Sequence, residues 1–122
     1  NFSLAIGYAA IFWPEFTRHE GYILRKGFNE ESLKGFERQE GASRKNTEWI
    51  MNHLHIEDIQ YLGCPDMTRD KVLVIGHILK EIHEAKLKWQ FPDDPCRVEF
   101  YISDDQNDLT QYQISFWQQR HD

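Results

Sequence analysis

A chain of 122 residues with 40% hydrophobic and 14% aromatic content can fill one packed domain and is too apolar to remain disordered. Its formal net charge of -6 excludes the basic face that general nucleic-acid binding needs. No repeat, low-complexity tract or linker divides it, so residues 1–122 read as a single globular domain.

The chain opens at Asn1 rather than Met, so residues are expected before it. No basic segment precedes the apolar run Leu4–Trp13, so no signal peptide is read there, and the run is too short to span a bilayer. Ser3 can cap a short helix over Leu4, Ile6, Tyr8, Ala9, Ile11 and Phe12, closed by Trp13-Pro14. That helix is apolar on nearly every face and is expected to be largely buried. Phe16–His19 and Tyr22–Lys26 read as two short strands around Glu20-Gly21, or as one strand with a glycine bulge.

Asn29 caps the next helix, with Glu30 and Glu31 in its first turn, Leu33 and Phe36 as a narrow apolar stripe, and Gly41 as its end. Ser43 caps another. Trp49, Ile50, His53, Leu54 and Ile56 fall near one face, a break is expected near Asp58, and Gly63 with Pro65 stops the segment. A long helix from about Thr68 to Trp89 follows. Asp66 or Thr68 caps it, Asp70 charges its first turn, and Phe91-Pro92 ends it. Its expected buried stripe is Val72, Ile75, Leu79, Ile82 and Trp89, with Ile78 and Ala85 beside it. Gly76 in its interior reads as a place of close packing.

Two alternating strands close the chain. Val98, Phe100 and Ile102 form one apolar face, and Tyr112, Ile114 and Phe116 the other. The fold class is therefore α+β. Three to four helices are expected on a small antiparallel sheet, made of the 97–103 and 110–117 strands with the 16–26 segment added.

Candidate chemistry is sparse. On a helix, His53 and His55 are about 200° apart, so no zinc is expected between them. His53 with Glu57, and His77 with Glu81, are i,i+4 pairs that two facing helices could turn into a metal site. His77 and Glu81 fall on the polar face of their helix, which points away from such a site. Asp104, Asp105, Asn107 and Asp108 lack the glycine and terminal glutamate of a calcium loop. Cys64 has no basic neighbour to activate it, and no nucleophile elbow, phosphate loop or zincin motif is present. With Cys96 it completes a pair of thiols at no motif spacing, which reads as reduced and cytoplasmic. No cofactor is expected.

From Phe91 onward seven acids (Asp93, Asp94, Glu99, Asp104, Asp105, Asp108 and Asp122) face only Arg97 and Arg120, so this end holds five of the six net negative charges. Trp117 falls out of phase with Tyr112, Ile114 and Phe116, on the sheet face that also carries Tyr101. Aromatics beside acids are common interface anchors. Asp104, Asp105, Asp108, Tyr101 and Trp117 are thus the expected partner-binding residues. The leading reading is a non-catalytic protein-binding module whose acidic face meets a basic protein, with no nucleic acid or membrane partner. In size, charge and fold class, rather than in any motif, the chain resembles small acidic bacterial immunity proteins, which inhibit a basic toxin domain such as a nuclease. A small metal-dependent enzyme using the His/Glu pairs, and a structural subunit, are the alternatives.

Overall fold

The structure, a computed structural model, describes residues 1–60 and 64–122. Its elements are α1 (Phe2–Phe12), β1 (Phe16–His19), β2 (Tyr22–Arg25), α2 (Glu30–Glu37), α3 (Arg44–Asn52), β3 (Leu54–His55), α4 (Arg69–Gln90), β4 (Cys96–Tyr101) and β5 (Gln113–Gln118), with short 3-10 turns at Ile56–Ile59, Leu109–Gln111 and Gln119–His121. The class is α+β, with four helices and two small antiparallel sheets. No helix among the described residues is long and apolar enough to cross a membrane.

Local chemistry accounts for most boundaries. Asn29, Ser43 and Thr68 each accept a hydrogen bond from the backbone three residues on, capping α2, α3 and α4. Glu20 and Gly21 both take positive φ (50° and 86°), the two-residue turn that suits a right-twisted hairpin, so β1 and β2 form a hairpin rather than one bulged strand. α4 ends at Phe91 as expected, and Phe100 packs so tightly over Gly76 that a methyl group there would overlap its ring. The Gly63 part of the expected stop signal lies outside the described residues.

α4 lies over one face of the sheets. Val72 and Leu79 pack with Ile56, Tyr112 and Ile114, with Phe100 and Ile75 alongside, while Leu87 and Phe91 pack with Phe16, Ile23 and Phe116. On the far side of β2, Tyr22 and Leu24 meet Leu33 of α2, with Met51 of α3 alongside. The buried stripe of α4 runs Val72, Gly76, Leu79, His83, Lys86 and Leu87. Trp89, expected inside, is 70% exposed, and Ile78 is exposed too. Counting apolar residues misplaced that stripe because three of its members are a glycine, a histidine and a lysine. Lys86 reaches its partner inside, where its ammonium donates to the carbonyl of Pro14 at 2.7 Å.

Three further expectations need correction. α1 is exposed rather than buried, and only Ile11 and Phe12 at its C-terminal turn join the core. α3 stops at Asn52, and Leu54–His55 pair with β5 as a third strand, giving the order β3-β5-β4. Ile102 lies beyond the ladder and is exposed.

The N-terminal hairpin forms, but as a sheet of its own beside the C-terminal one. Two side chains of α3 occupy the seam between them. The Glu48 carboxylate accepts from the Ile23 amide of β2 (2.8 Å), from the Gln118 amide of β5 (2.7 Å) and from the Gln118 side chain (2.7 Å), and the His121 ring donates to it at 2.8 Å. One turn later, Asn52 accepts from the Arg25 amide at 3.2 Å and donates to the Ile23 carbonyl (2.9 Å) and the Phe116 carbonyl (3.3 Å). The free edges of β2 and β5 are thus satisfied by a carboxylate and an amide instead of by each other. Both side chains are fully buried.

Glu48→Ala would leave these donors without an acceptor in a dry interior. It should lower the unfolding free energy by about 3–5 kcal/mol. Urea denaturation of the two proteins measures this. A loss below about 1 kcal/mol, the size of an ordinary surface substitution, would show that the seam is held by other contacts.

Candidate functional site

The sheet face turned away from α4 is only half covered. On β4 it carries Arg97, Glu99 and Tyr101, and on β5 Gln113, Ser115 and Trp117. Register sets these in rows. Tyr101, Gln113 and His55 lie side by side across β4, β5 and β3, and Glu99 lies opposite Ser115.

α3 closes one end of this face. The Ser115 hydroxyl donates to the Trp49 carbonyl at 2.6 Å, and the Trp49 indole donates across Ser115 to Glu99 at 3.2 Å. Trp117, expected as a presented anchor, is buried beneath this cover at 8% exposure. The Lys45 ammonium sits 5.0 Å from its ring, and its indole donates to Asp122 at 2.7 Å while Arg97 holds the other Asp122 oxygen at 2.6 Å. The two donors keep the Asp122 carboxyl below its ordinary range, the indole having the larger effect. Trp117 therefore fastens the C-terminus. Tyr101, at 42% exposure, stays open at the other end.

Between them stand two histidines that helical geometry was expected to separate. His53 is the C-cap of α3 in extended backbone and His55 is on β3, so their rings meet edge to face with centroids 5.3 Å apart. His53 also stacks on Trp49 at 6.0 Å. Its Nδ1 lies 2.5 Å from the Ile50 carbonyl, and that of His55 2.7 Å from the Thr110 carbonyl. A carbonyl only accepts, so both Nδ1 atoms carry the proton and both neutral rings keep Nε2 as an acceptor. Sequence reasoning missed Trp49 and Glu99 as members of this face and misjudged the histidine pair. The usable signal was the alternation His53-Leu54-His55, which suits a strand better than a helix.

The acidic loop lies beyond Tyr101. Asp105 accepts from the Asn107 amide at 3.0 Å, and Asp108 from the Thr110 amide at 3.1 Å. These two carboxylates therefore shape the turn, Asp108 as the cap of the 3-10 turn at Leu109–Gln111. Asp104 is exposed. Elsewhere in the acidic end, Asp94 is paired with Arg18 at 2.5 Å.

The alternative metal residues do not converge. Glu57 lies in the 3-10 turn after β3, whereas His77 and Glu81 are exposed on α4, with His77 edge-on to Phe100 at 5.2 Å. Among the described residues, no three His, Cys, Asp or Glu side chains form a group that could hold a metal ion. Both cysteines are free thiols. Burial pushes the Cys96 thiol up to about 12, and the Cys64 thiol donates to Asp66 at 2.7 Å.

The chain matches no protein-family model, curated protein or solved structure at a significant level.

Behind the sheet, His83 is fully buried between Phe16 and Phe116, with Nδ1 2.7 Å from the Leu79 carbonyl. Desolvation, helped by the nearby Arg25 guanidinium, pushes it down to about 3. Its neutral form is therefore native, and its contribution is intact above the unfolded-state value of about 6.5. As pH falls below that value the unfolded chain takes up a proton that the fold refuses, so stability drops by up to about 1.4 kcal/mol per pH unit until about pH 3. Denaturation at pH 7, 5.5 and 4.5 should show that slope, and His83→Gln should flatten it. An unchanged slope in the variant would place the acid sensitivity elsewhere.

Proposed function

We propose that this protein is a non-catalytic protein-binding module that meets a basic partner protein through the open sheet face and the acidic hairpin tip beyond it. The observation that carries the reading is the row of Tyr101, Gln113 and His55, continued by His53, Trp49 and Glu99, on a face left open beside α3. Such a surface supplies what interfaces use. It has rigid aromatic and imidazole rings at its centre, paired polar groups that need no reorganisation, and charge at its rim. Asp104, Asp105 and Asp108 at the tip supply the charge that steers a basic protein toward it. An immunity-type inhibitor of a basic toxin domain is the specific form we favour, on size, acidity and fold class. Action in the bacterial cytoplasm fits two thiols that remain free.

The test uses the protein as bait, purification of the basic protein it captures, and measurement of association and dissociation rates. Replacing Asp104, Asp105 and Asp108 with Asn preserves the turn hydrogen bonds, because Asn accepts in the same geometry. It should slow association several-fold at low salt and flatten the salt dependence. Tyr101→Ala should speed dissociation about tenfold, the equivalent of about 1.4 kcal/mol at a central anchor. Rates unchanged by both variants would remove this face from the interface.

A further inference from the structure

α1 has a composition that contradicts its surroundings. No charged side chain occurs from Asn1 to Pro14, and the helix is apolar on all sides. Helices of that kind are covered by protein or lipid. Here Phe2 is 89% exposed and Ile6 70%, with Leu4 and Tyr8 also open. Next to the base of α1 runs a groove of about 620 Å³, lined by Tyr8, Phe12, Ile59, Val72, Val74 and Ile75, and Val74 and Ile78 of α4 are exposed beside it.

We infer that α1 and this groove form a self-complementary interface, in which each of two copies lays its α1 against the other's α1 and groove. A single surface that holds both a projecting apolar helix and an apolar groove is what a two-fold contact requires, because the same patch must serve both partners. The area suffices. An exposed aromatic side chain offers roughly 150–250 Å². Phe2, Leu4, Ile6, Tyr8, Val74 and Ile78 together offer several hundred Å², on the order of the 800 Å² that each partner gives to a stable interface. That exceeds the usual largest apolar patch of a monomer, about 300–600 Å². Charge permits it, since two chains of net charge -6 approach with least repulsion along a helix that carries none.

Lipid is the weaker occupant. Eleven residues rise about 16 Å, half of a bilayer core of about 30 Å. The tip carries Ser3 and Asn1, whose Oδ1 accepts from the Leu4 amide at 2.9 Å. Inserted tip first, these groups and the other first-turn amides would sit in hydrocarbon, where no water satisfies them.

The experiment is the mass in solution, by light scattering or sedimentation equilibrium over a range of concentrations. The 122-residue chain should run at twice its 14.6 kDa and dissociate on dilution. Ile6→Asp, on the helix, and Val74→Asp, beside the groove, should each give the single-chain mass with unchanged circular dichroism, since both residues are exposed. Tyr101→Ala should remain dimeric, which keeps this interface distinct from the partner face. A single-chain mass at every concentration would overturn the inference, and so would a dimer that survives both aspartates. A monomer that floats with neutral phosphatidylcholine vesicles would also overturn it and assign α1 to lipid.

Discussion

A carboxylate and an amide one helical turn apart stand where two strands would otherwise pair. Strand edges demand partners for every buried amide and carbonyl. β2 and β5 have such edges facing each other, and Glu48 and Asn52 fill the space between them. Burying a carboxylate costs several kcal/mol, and a buried charge is tolerated only where donors surround it. Glu48 has four, drawn from both sheets and from His121. The same contacts decide where α3 sits, because a helix with two consecutive turns locked into a seam can neither slide nor roll. Arg25 adds a further tie, its Nε donating to the Asn52 carbonyl at 2.8 Å.

The open face inherits its order from that constraint. Trp49 follows Glu48 directly, so fixing Glu48 fixes the Trp49 carbonyl over Ser115 and its indole against Glu99. Asn52 precedes His53, so ending α3 at the seam forces the chain into extended backbone there and delivers His53 and His55 to the sheet edge. A set of rings held by packing and second-layer hydrogen bonds binds without first paying an ordering cost. α1 lies outside this scheme, with only its last turn tied to the body through Ile11, Phe12 and the Lys86–Pro14 contact. An element so loosely attached can serve a contact between molecules without disturbing the seam.

What the sequence revealed follows from how local each signal is. α4 is legible because its cap, length and stop are all encoded within 25 or so residues, and period-2 alternation suffices for β4 and β5. The class could be read from these alone. The seam is invisible by the same logic. Glu48 sits in a helix as an unremarkable polar residue, and only Ile23 and Gln118, 25 and 70 residues away, make it internal. Trp117 was rightly put on the far sheet face, but its cover comes from Lys45, Arg97 and Asp122, which no periodicity reports. α1 failed oppositely: its composition demands cover, and the cover is not within the described residues of one chain.

The seam is most directly tested by amide hydrogen exchange at Ile23 and Gln118. Neither amide has a ladder partner across the gap, so protection there can come only from the Glu48 carboxylate. In the native protein both should exchange as slowly as the β4–β5 ladder amides, through global unfolding alone. In Glu48→Gln both should speed up together while the Phe100 and Ile114 amides keep their protection relative to the new global stability. Fast exchange of Ile23 and Gln118 in the native protein, or full protection in the variant, would contradict the claim that one buried carboxylate joins the two sheets.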